Sequence, residues 1–174
     1  TLIQFDEQMK IVPKLADKWD RIDDTTWHFH IRDGVAFHNG NPVTADAVKK
    51  SIERSISLNE RGQSTLPIAS MTAKGQDLTI KTTQPDASLL GNIAEPLFII
   101  VDTSADTSKF KSEPIATGPF MVTGYTPDQE IQVKKYDKYW GGAADLDTMT
   151  LKYIKDDNTR ALALQSGEID VASN

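Results

Sequence analysis

Residues 26–31 run Thr26-Trp27-His28-Phe29-His30-Ile31, a period-two alternation that fits an extended strand and not a helix. It puts Trp27, Phe29 and Ile31 on one face and Thr26, His28 and His30 on the other. A second candidate strand covers 17–23, and the turn-forming triplet Asp23-Asp24-Thr25 joins the two as a hairpin. A hairpin with one apolar face must bury that face under another layer. The chain that follows has to supply the layer.

The next apolar-periodic segment does so. Thr44 is an N-cap residue and Asp46 sits in the first turn, where a carboxylate favours the helix dipole. The spacing predicts a helix to about Ser57, with Ala45, Val48, Ile52 and Ile56 on one face and Lys49, Lys50 and Glu53 on the other. Residues 58–66 are polar and aperiodic and read as a loop. Strands are predicted at 68–74 and 77–83 across Gly75-Gln76, and Pro85 opens a short helix carrying Leu89, Leu90 and Ile93. The run Leu97-Phe98-Ile99-Ile100-Val101 has the length of a buried strand. Further strands are expected from Met121-Val122, around Ile131 and Val133 after the Thr126-Pro127-Asp128-Gln129 turn, and at 149–154. Asp156-Asp157 then caps a helix ending at Gly167. The mixture predicts an α+β lobe with a largely mixed or antiparallel sheet and flanking helices, and no internal domain boundary.

Composition narrows the function classes. Of 174 residues, 39% are hydrophobic and 25% charged, so a folded core is expected rather than disorder. A net charge of -6 gives no electrostatic basis for binding nucleic acid or an anionic membrane. The absence of cysteine removes disulfides, thiolate metal sites and a cysteine nucleophile. No apolar run approaches the roughly 20 residues that span a bilayer. The chain begins Thr1-Leu2-Ile3 without an initiator Met or signal peptide, and it stops after Ile169-Asp170-Val171, which reads as the start of a strand. Both ends read as cut, so an excised piece of a longer polypeptide is expected.

Enzymatic signatures are missing: no G-x-S-x-G, Walker A, G-x-G-x-x-G or H-E-x-x-H string occurs. Asp23-Asp24 and Asp156-Asp157 stand at a turn and a helix start, where carboxylates accept backbone N–H bonds. His28 and His30 share a strand face and offer two imidazoles to a metal, which with an acid would make a small metal-dependent hydrolase; the alternative is a pair of solvent-face residues. His38 is expected to hydrogen-bond its own turn backbone, and Trp27 and Trp140 to anchor packing.

Several stretches, in order along nearly the whole chain, resemble the extracellular solute-binding proteins of family 5, which serve peptides, dipeptides and nickel. Val12-Pro13-Lys14-Leu15-Ala16-Asp17-Lys18-Trp19 is similar to that family's "VPxLAxxW", and residues 26–40 to "TWTFHLRxGVKFHDG". Pro42-Val43-Thr44-Ala45-Asp46-Ala47-Val48 resembles "PLTAEDV", with Ala47 where an acid is usual. Thr117-Gly118-Pro119-Phe120 resembles "GTGPF" with Ala116 in place of the first Gly; Tyr136-Asp137-Lys138-Tyr139-Trp140-Gly141-Gly142 resembles "NxxYWGG". Residues 154–160 and 164–170 are similar to "IPDxxTR…LxxGEID".

The resemblance implies the periplasmic-binding-protein-like fold (type II, cluster C), in which two lobes close on a ligand across a hinge. Members are considerably longer, so the expectation is a fragment of the N-terminal lobe over 1–174, the second lobe being absent. It implies the substrate-binding component of an ABC importer, a non-enzyme outside the cytoplasm, in a periplasm or as a surface lipoprotein. The expected partners are a short peptide or nickel chelate and a membrane permease, with no nucleic acid and no cofactor, and the protein a monomer. A ligand-sensing role without transport is the variant of this reading. By resemblance, ligand contacts fall on Asn59 and Arg61, on Asn92 and Glu95, and on Thr117 and Gly118. Nickel binders of the family hold chelator carboxylates with arginines from the first two regions, a task that suits the bidentate guanidinium. Here Arg61 supplies one cation, while Glu95 falls about where the second arginine would sit and suits a cationic group such as a peptide N-terminus.

Overall fold

The computed structural model describes residues 1–58 and 60–173. Four strands form its main sheet: β3 (Ala16–Arg21), β4 (Thr26–Ile31), β5 (Ile68–Lys74) and β6 (Asp77–Thr82), in the order β3-β4-β6-β5 and antiparallel throughout. The predicted hairpin forms as expected, with Trp19 opposite Phe29 and Asp23 Oδ1 accepting from the Thr25 amide at 2.8 Å. Helix α1 (Ala45–Leu58) lies between β4 and β5 in sequence, and the Thr44 hydroxyl caps it by accepting from the Ala47 amide at 3.2 Å. Phe29, Ile31, Leu78 and Ile80 of the sheet share one fully buried cluster with Ala45, Val48 and Ile52 of the helix. Trp19, Trp27 and Trp140 pack on its margin.

Two short strands precede this sheet, β1 (Ile3–Phe5) paired with β2 (Ile11–Pro13), neither evident from periodicity. Three residues are too few to display a period, and Met9 turns between them at φ 59°.

The predicted loop at 58–66 is corrected: Glu60–Thr65 form α2. Its one buried residue is Gly62, where an added Cβ would meet the Ser55 carbonyl oxygen at 3.0 Å and Ile56 Cα at 3.1 Å. The helix therefore packs on α1 backbone to backbone, which needs no apolar stripe and leaves none in the sequence. Asn59 lies outside the described residues.

The predicted strand at 97–101 is also corrected. Pro96–Phe98 form a 3-10 turn, and the chain runs on extended with a single bridge between Val101 and Ala116. Ser51 of α1, fully buried, satisfies this backbone in place of a neighbouring strand. Its hydroxyl donates to the Ile99 carbonyl at 3.2 Å and accepts from the Val101 amide at 2.9 Å. Buried backbone groups need partners, and a side chain serves as well as a ladder. The short helix after Pro85 starts later than expected, as α3 (Leu89–Ile93), because Asp86 first turns the chain by accepting from the Ser88 amide at 2.8 Å.

The last part of the chain builds a separate three-stranded sheet, β7 (Phe120–Thr126), β8 (Glu130–Lys135) and β9 (Thr148–Lys152). Helix α4 (Asp157–Ser166) follows, capped as predicted by Asp156 on the Thr159 amide (2.7 Å) and ended by Gly167 at φ 76°. Residues 169–171 form no strand. Every strand pair among the described residues is antiparallel, the α+β arrangement expected.

The residues of the main buried cluster all lie between Leu2 and Ile100. Ile80→Ala is therefore expected to lower the unfolding free energy by about 2–5 kcal/mol, and Leu151→Ala, half exposed on β9, to change it by less than about 0.5 kcal/mol. Urea titrations followed by circular dichroism distinguish the two.

Candidate functional site

The predicted contact residues fall into two clusters. The first joins α2 to α3. Arg61 Nη2 donates to Glu95 Oε2 at 2.8 Å, and Asn92 Nδ2 donates to the Thr65 carbonyl at 2.8 Å and to Ser88 Oγ at 3.0 Å. The Glu95 amide in turn donates to the Asn92 carbonyl at 3.1 Å. Asn92 thus fastens the end of α2 to α3, while the ion pair bridges its start to the turn after α3. The Arg61 side chain is 71% exposed and that of Glu95 33%, so this pair contributes only about 0–1 kcal/mol to stability. Glu95 is not a lone negative charge awaiting a cation, and Arg61 is not a free fork. Each already occupies the other.

The second cluster is built around residues 116–118. The His38 amide donates to the Ala116 carbonyl at 2.9 Å, and its ring Nε2 reaches the Gly118 carbonyl at 2.9 Å. The expectation that His38 bonds its own turn is corrected: its partner lies 80 residues away. A carbonyl only accepts, so Nε2 carries the hydrogen. Trp140 Nε1 donates to the Thr117 carbonyl at 3.2 Å, and the Trp140 ring lies near the cations of Arg32 (5.0 Å) and Lys14 (5.6 Å). Thr117 is buried, while at Gly118 an added Cβ would meet nothing within 4 Å. Its Cα side is open for a ligand to approach. Among the described residues no hydrogen bond or ion pair runs between the two clusters.

Sequence reasoning missed the polar knot beside the second cluster. Asp102, 4% exposed, accepts from Asn39 Nδ2 (2.8 Å) and Asn41 Nδ2 (2.7 Å) on one oxygen and from the Ser104 amide and hydroxyl (2.9 and 2.6 Å) on the other. Asn39-Gly40-Asn41 reads as an ordinary turn, and nothing local in the sequence marks Asp102 as its anchor. Burial pushes the Asp102 carboxyl up, but hydrogen bonds from Ser104, Asn39 and Asn41 outweigh it and hold the group below its ordinary 3.8. Burial likewise holds the His38 imidazole below its ordinary 6.5, against the opposing pull of the Gly118 carbonyl. Next to this turn, an open groove of about 530 Å³ runs between His38–Gly40 and Lys134–Lys138.

His28 and His30 face away from the core, as the alternation predicts, and each has its own acid. His28 Nε2 lies 3.3 Å from Asp77 Oδ1, and His30 Nδ1 lies 2.9 Å from Asp17 Oδ1. The described residues bring no three histidine or acidic side chains together as a metal site, so the hydrolase alternative finds no support in the geometry. No described helix is long and apolar enough to cross a membrane.

Residues 10–174 match the family model described as bacterial extracellular solute-binding proteins, family 5 Middle. The chain belongs to this family. The nickel-binding protein NikA of Staphylococcus aureus is 34% identical over the whole chain, which covers 35% of that relative's length. The glutathione-binding protein GsiB of Pectobacterium atrosepticum is 32% identical over 98% of the chain and 35% of its own length. The crystal structure of S. aureus NikA in complex with Ni(L-His)2 superposes on 96% of this chain and 36% of its own, with a TM-score of 0.92 and 35% identity. DppA of Helicobacter pylori, in complex with the peptide STSA, covers 97% of this chain and 39% of its own, at a TM-score of 0.83 and 30% identity. The fold is that of a type II periplasmic binding protein lobe, and the chain spans little more than a third of the length of these relatives. The relatives named here are binding proteins.

The two shifted groups of the second cluster give a family 5 lobe of this kind a two-step response to acid. His38 is neutral in the fold, so its contribution is complete above pH 6.5 and is lost as pH falls through its lowered folded value. Asp102 is ionised in the fold, so its contribution is complete above about pH 3.8 and is lost as pH falls below it. Urea midpoints measured from pH 7 to pH 2 should fall in two stages. The upper stage, to which the partly buried Thr1 ammonium also contributes, should shrink in His38→Gln, and the lower, shared with Asp17, Asp23, Asp106, Asp147 and Asp156, should shrink in Asp102→Asn.

Proposed function

We propose that the chain is the N-terminal lobe portion of the substrate-binding component of an ABC importer, working outside the cytoplasm and handing a short peptide or a nickel chelate to a membrane permease. What carries this reading is the superposition of nearly the whole chain on S. aureus NikA bound to Ni(L-His)2. The peptide-bound DppA supports the wider range of ligands. In this reading the protein makes and breaks no bond and acts as a monomer.

The geometry favours a zwitterion at the first cluster. A guanidinium and a carboxylate that hold each other, the guanidinium largely exposed and the carboxylate partly so, can be separated at little cost by a ligand carrying both signs. The ligand's carboxylate would take the Arg61 fork while its ammonium takes Glu95, with Asn92 alongside. Peptides and histidine complexes of nickel both carry carboxylates and amines. The open side of Gly118 would let ligand backbone approach the second cluster.

A single lobe presents only part of an enclosing surface, so affinity should be weak, with dissociation constants above about 100 µM. Titrating the labelled chain with a millimolar dipeptide or nickel(II)–histidine should move the amide resonances of Arg61, Asn92, Glu95, Thr117 and Gly118, while a neutral sugar moves none. Shifts confined to other residues would refute the site. Low-micromolar binding by calorimetry would refute the need for a second lobe.

A further inference from the structure

Asn39-Gly40 is the chain's one Asn-Gly step, and such a step holds a reaction in reserve. The backbone nitrogen of the following residue can attack the asparagine Cγ, and glycine has no side chain to obstruct the approach. In the folded chain every group that must move is already held. Asn39 Nδ2 donates to Asp102 Oδ2 at 2.8 Å, and Asn39 Oδ1 accepts from the Asn41 amide at 3.1 Å. The attacking group itself, the Gly40 amide, donates to the Phe37 carbonyl at 2.8 Å. Asn39 and Gly40 are exposed, so water reaches them, whereas Asp102 beneath them is buried.

We infer that Asn39 is a modification site kept latent by Asp102: opening of the turn lets Asn39 deamidate, and the carboxylate so formed prevents the turn from closing again. The step needs water as its only co-reactant. Gly40 N gives up its proton and bonds to Asn39 Cγ; the Cγ–Nδ2 bond breaks, and the amide nitrogen leaves with that proton as ammonia. Water then opens the five-membered ring at either carbonyl and leaves aspartate or isoaspartate.

The surroundings of Asp102 make the change one-way. Its Oδ2 also accepts from Asn41 Nδ2 at 2.7 Å, and its Oδ1 from the Ser104 amide and hydroxyl, so the site is built of donors around a single anion. An aspartate at 39 replaces a donor with a second carboxylate facing the first. Two carboxylates sharing a shielded site repel, and the charge left without its donor is costly. An isoaspartate would displace the turn as well, because it adds a methylene to the main chain. His38, one residue earlier, holds Ala116 and Gly118, so the disturbance reaches the second cluster. The inference is independent of whether that cluster meets a ligand.

Peptide mass spectrometry after incubation near neutral pH gives the rate at Asn39. The folded chain should deamidate there at least about tenfold more slowly than the same chain unfolded in guanidinium chloride, since the reaction waits on local opening. Asp102→Ala, shown by circular dichroism to be folded, should close most of that gap while Asn158 keeps its rate. Where Asp102→Ala does not fold, Ser104→Ala takes its place, removes one donor from Asp102 at an exposed residue, and should give a rate between the two. Equal rates in the folded and unfolded wild type would overturn the inference, and so would a folded variant that reacts no faster than wild type. The product is tested directly by Asn39→Asp. It should lower the urea midpoint and speed hydrogen exchange of the His38 amide in wild type, and do so far less in the Asp102→Asn background. An equal loss in both backgrounds would remove the carboxylate repulsion from the account and overturn the one-way change.

Discussion

Phe29 and Ile31 from β4, and Leu78 and Ile80 from β6, lie in one buried cluster with Val48 and Ile52 of α1, all fully shielded from water. At roughly 25 cal/mol per Å² of apolar surface, such burial is the main favourable contribution in a domain of this size. What it fixes is the azimuth of α1. With Val48 and Ile52 turned inward, Ser51 is buried and meets the 99–101 backbone. That contact sets the path into Asp102, which holds the Asn39–Asn41 turn, and the same turn carries His38 to Gly118. The second cluster of the candidate site therefore owes its position to a helix face packed some distance away.

The sequence disclosed the elements that rely on side-chain periodicity or local capping. The alternation of 26–31, the apolar stripe of α1, Asp156 at the start of α4 and Gly167 at its end each carry their cause within a few residues. It did not disclose elements whose cause is remote. Helix α2 is invisible because its contact runs through Gly62 against the α1 backbone, and 97–101 reads as a strand because Ser51 stands 50 residues from the amide it satisfies. The candidate site divides the same way. Arg61, Asn92 and Glu95 could be named from resemblance, but that Arg61 and Glu95 neutralise each other across 34 residues could not.

One-to-one pairing of side chains recurs in a different form on the outer sheet face. His28 with Asp77 and His30 with Asp17 are drawn from different strands, so neighbouring imidazoles are held by separate carboxylates. An H-x-H string on a strand suggests a shared metal only when the adjacent strands supply further ligands to the same point. Here the adjacent strands supply acids to two different points. Spacing alone does not separate these outcomes, because the register of β3 and β6 decides them.

The bonds that tie the turn at residues 37–41 to the later chain span long stretches of sequence: Asn39 to Asp102 over 63 residues, His38 to Gly118 over 80, and the Tyr136 hydroxyl to the Phe37 carbonyl over 99. Each closes a large loop whose entropy cost must be met before the bond can form. The β3–β4 and β5–β6 pairs of the main sheet, by contrast, are local hairpins. On loop length alone these hairpins close more cheaply than the bonds that bring residues 116–118 to the distant turn at His38.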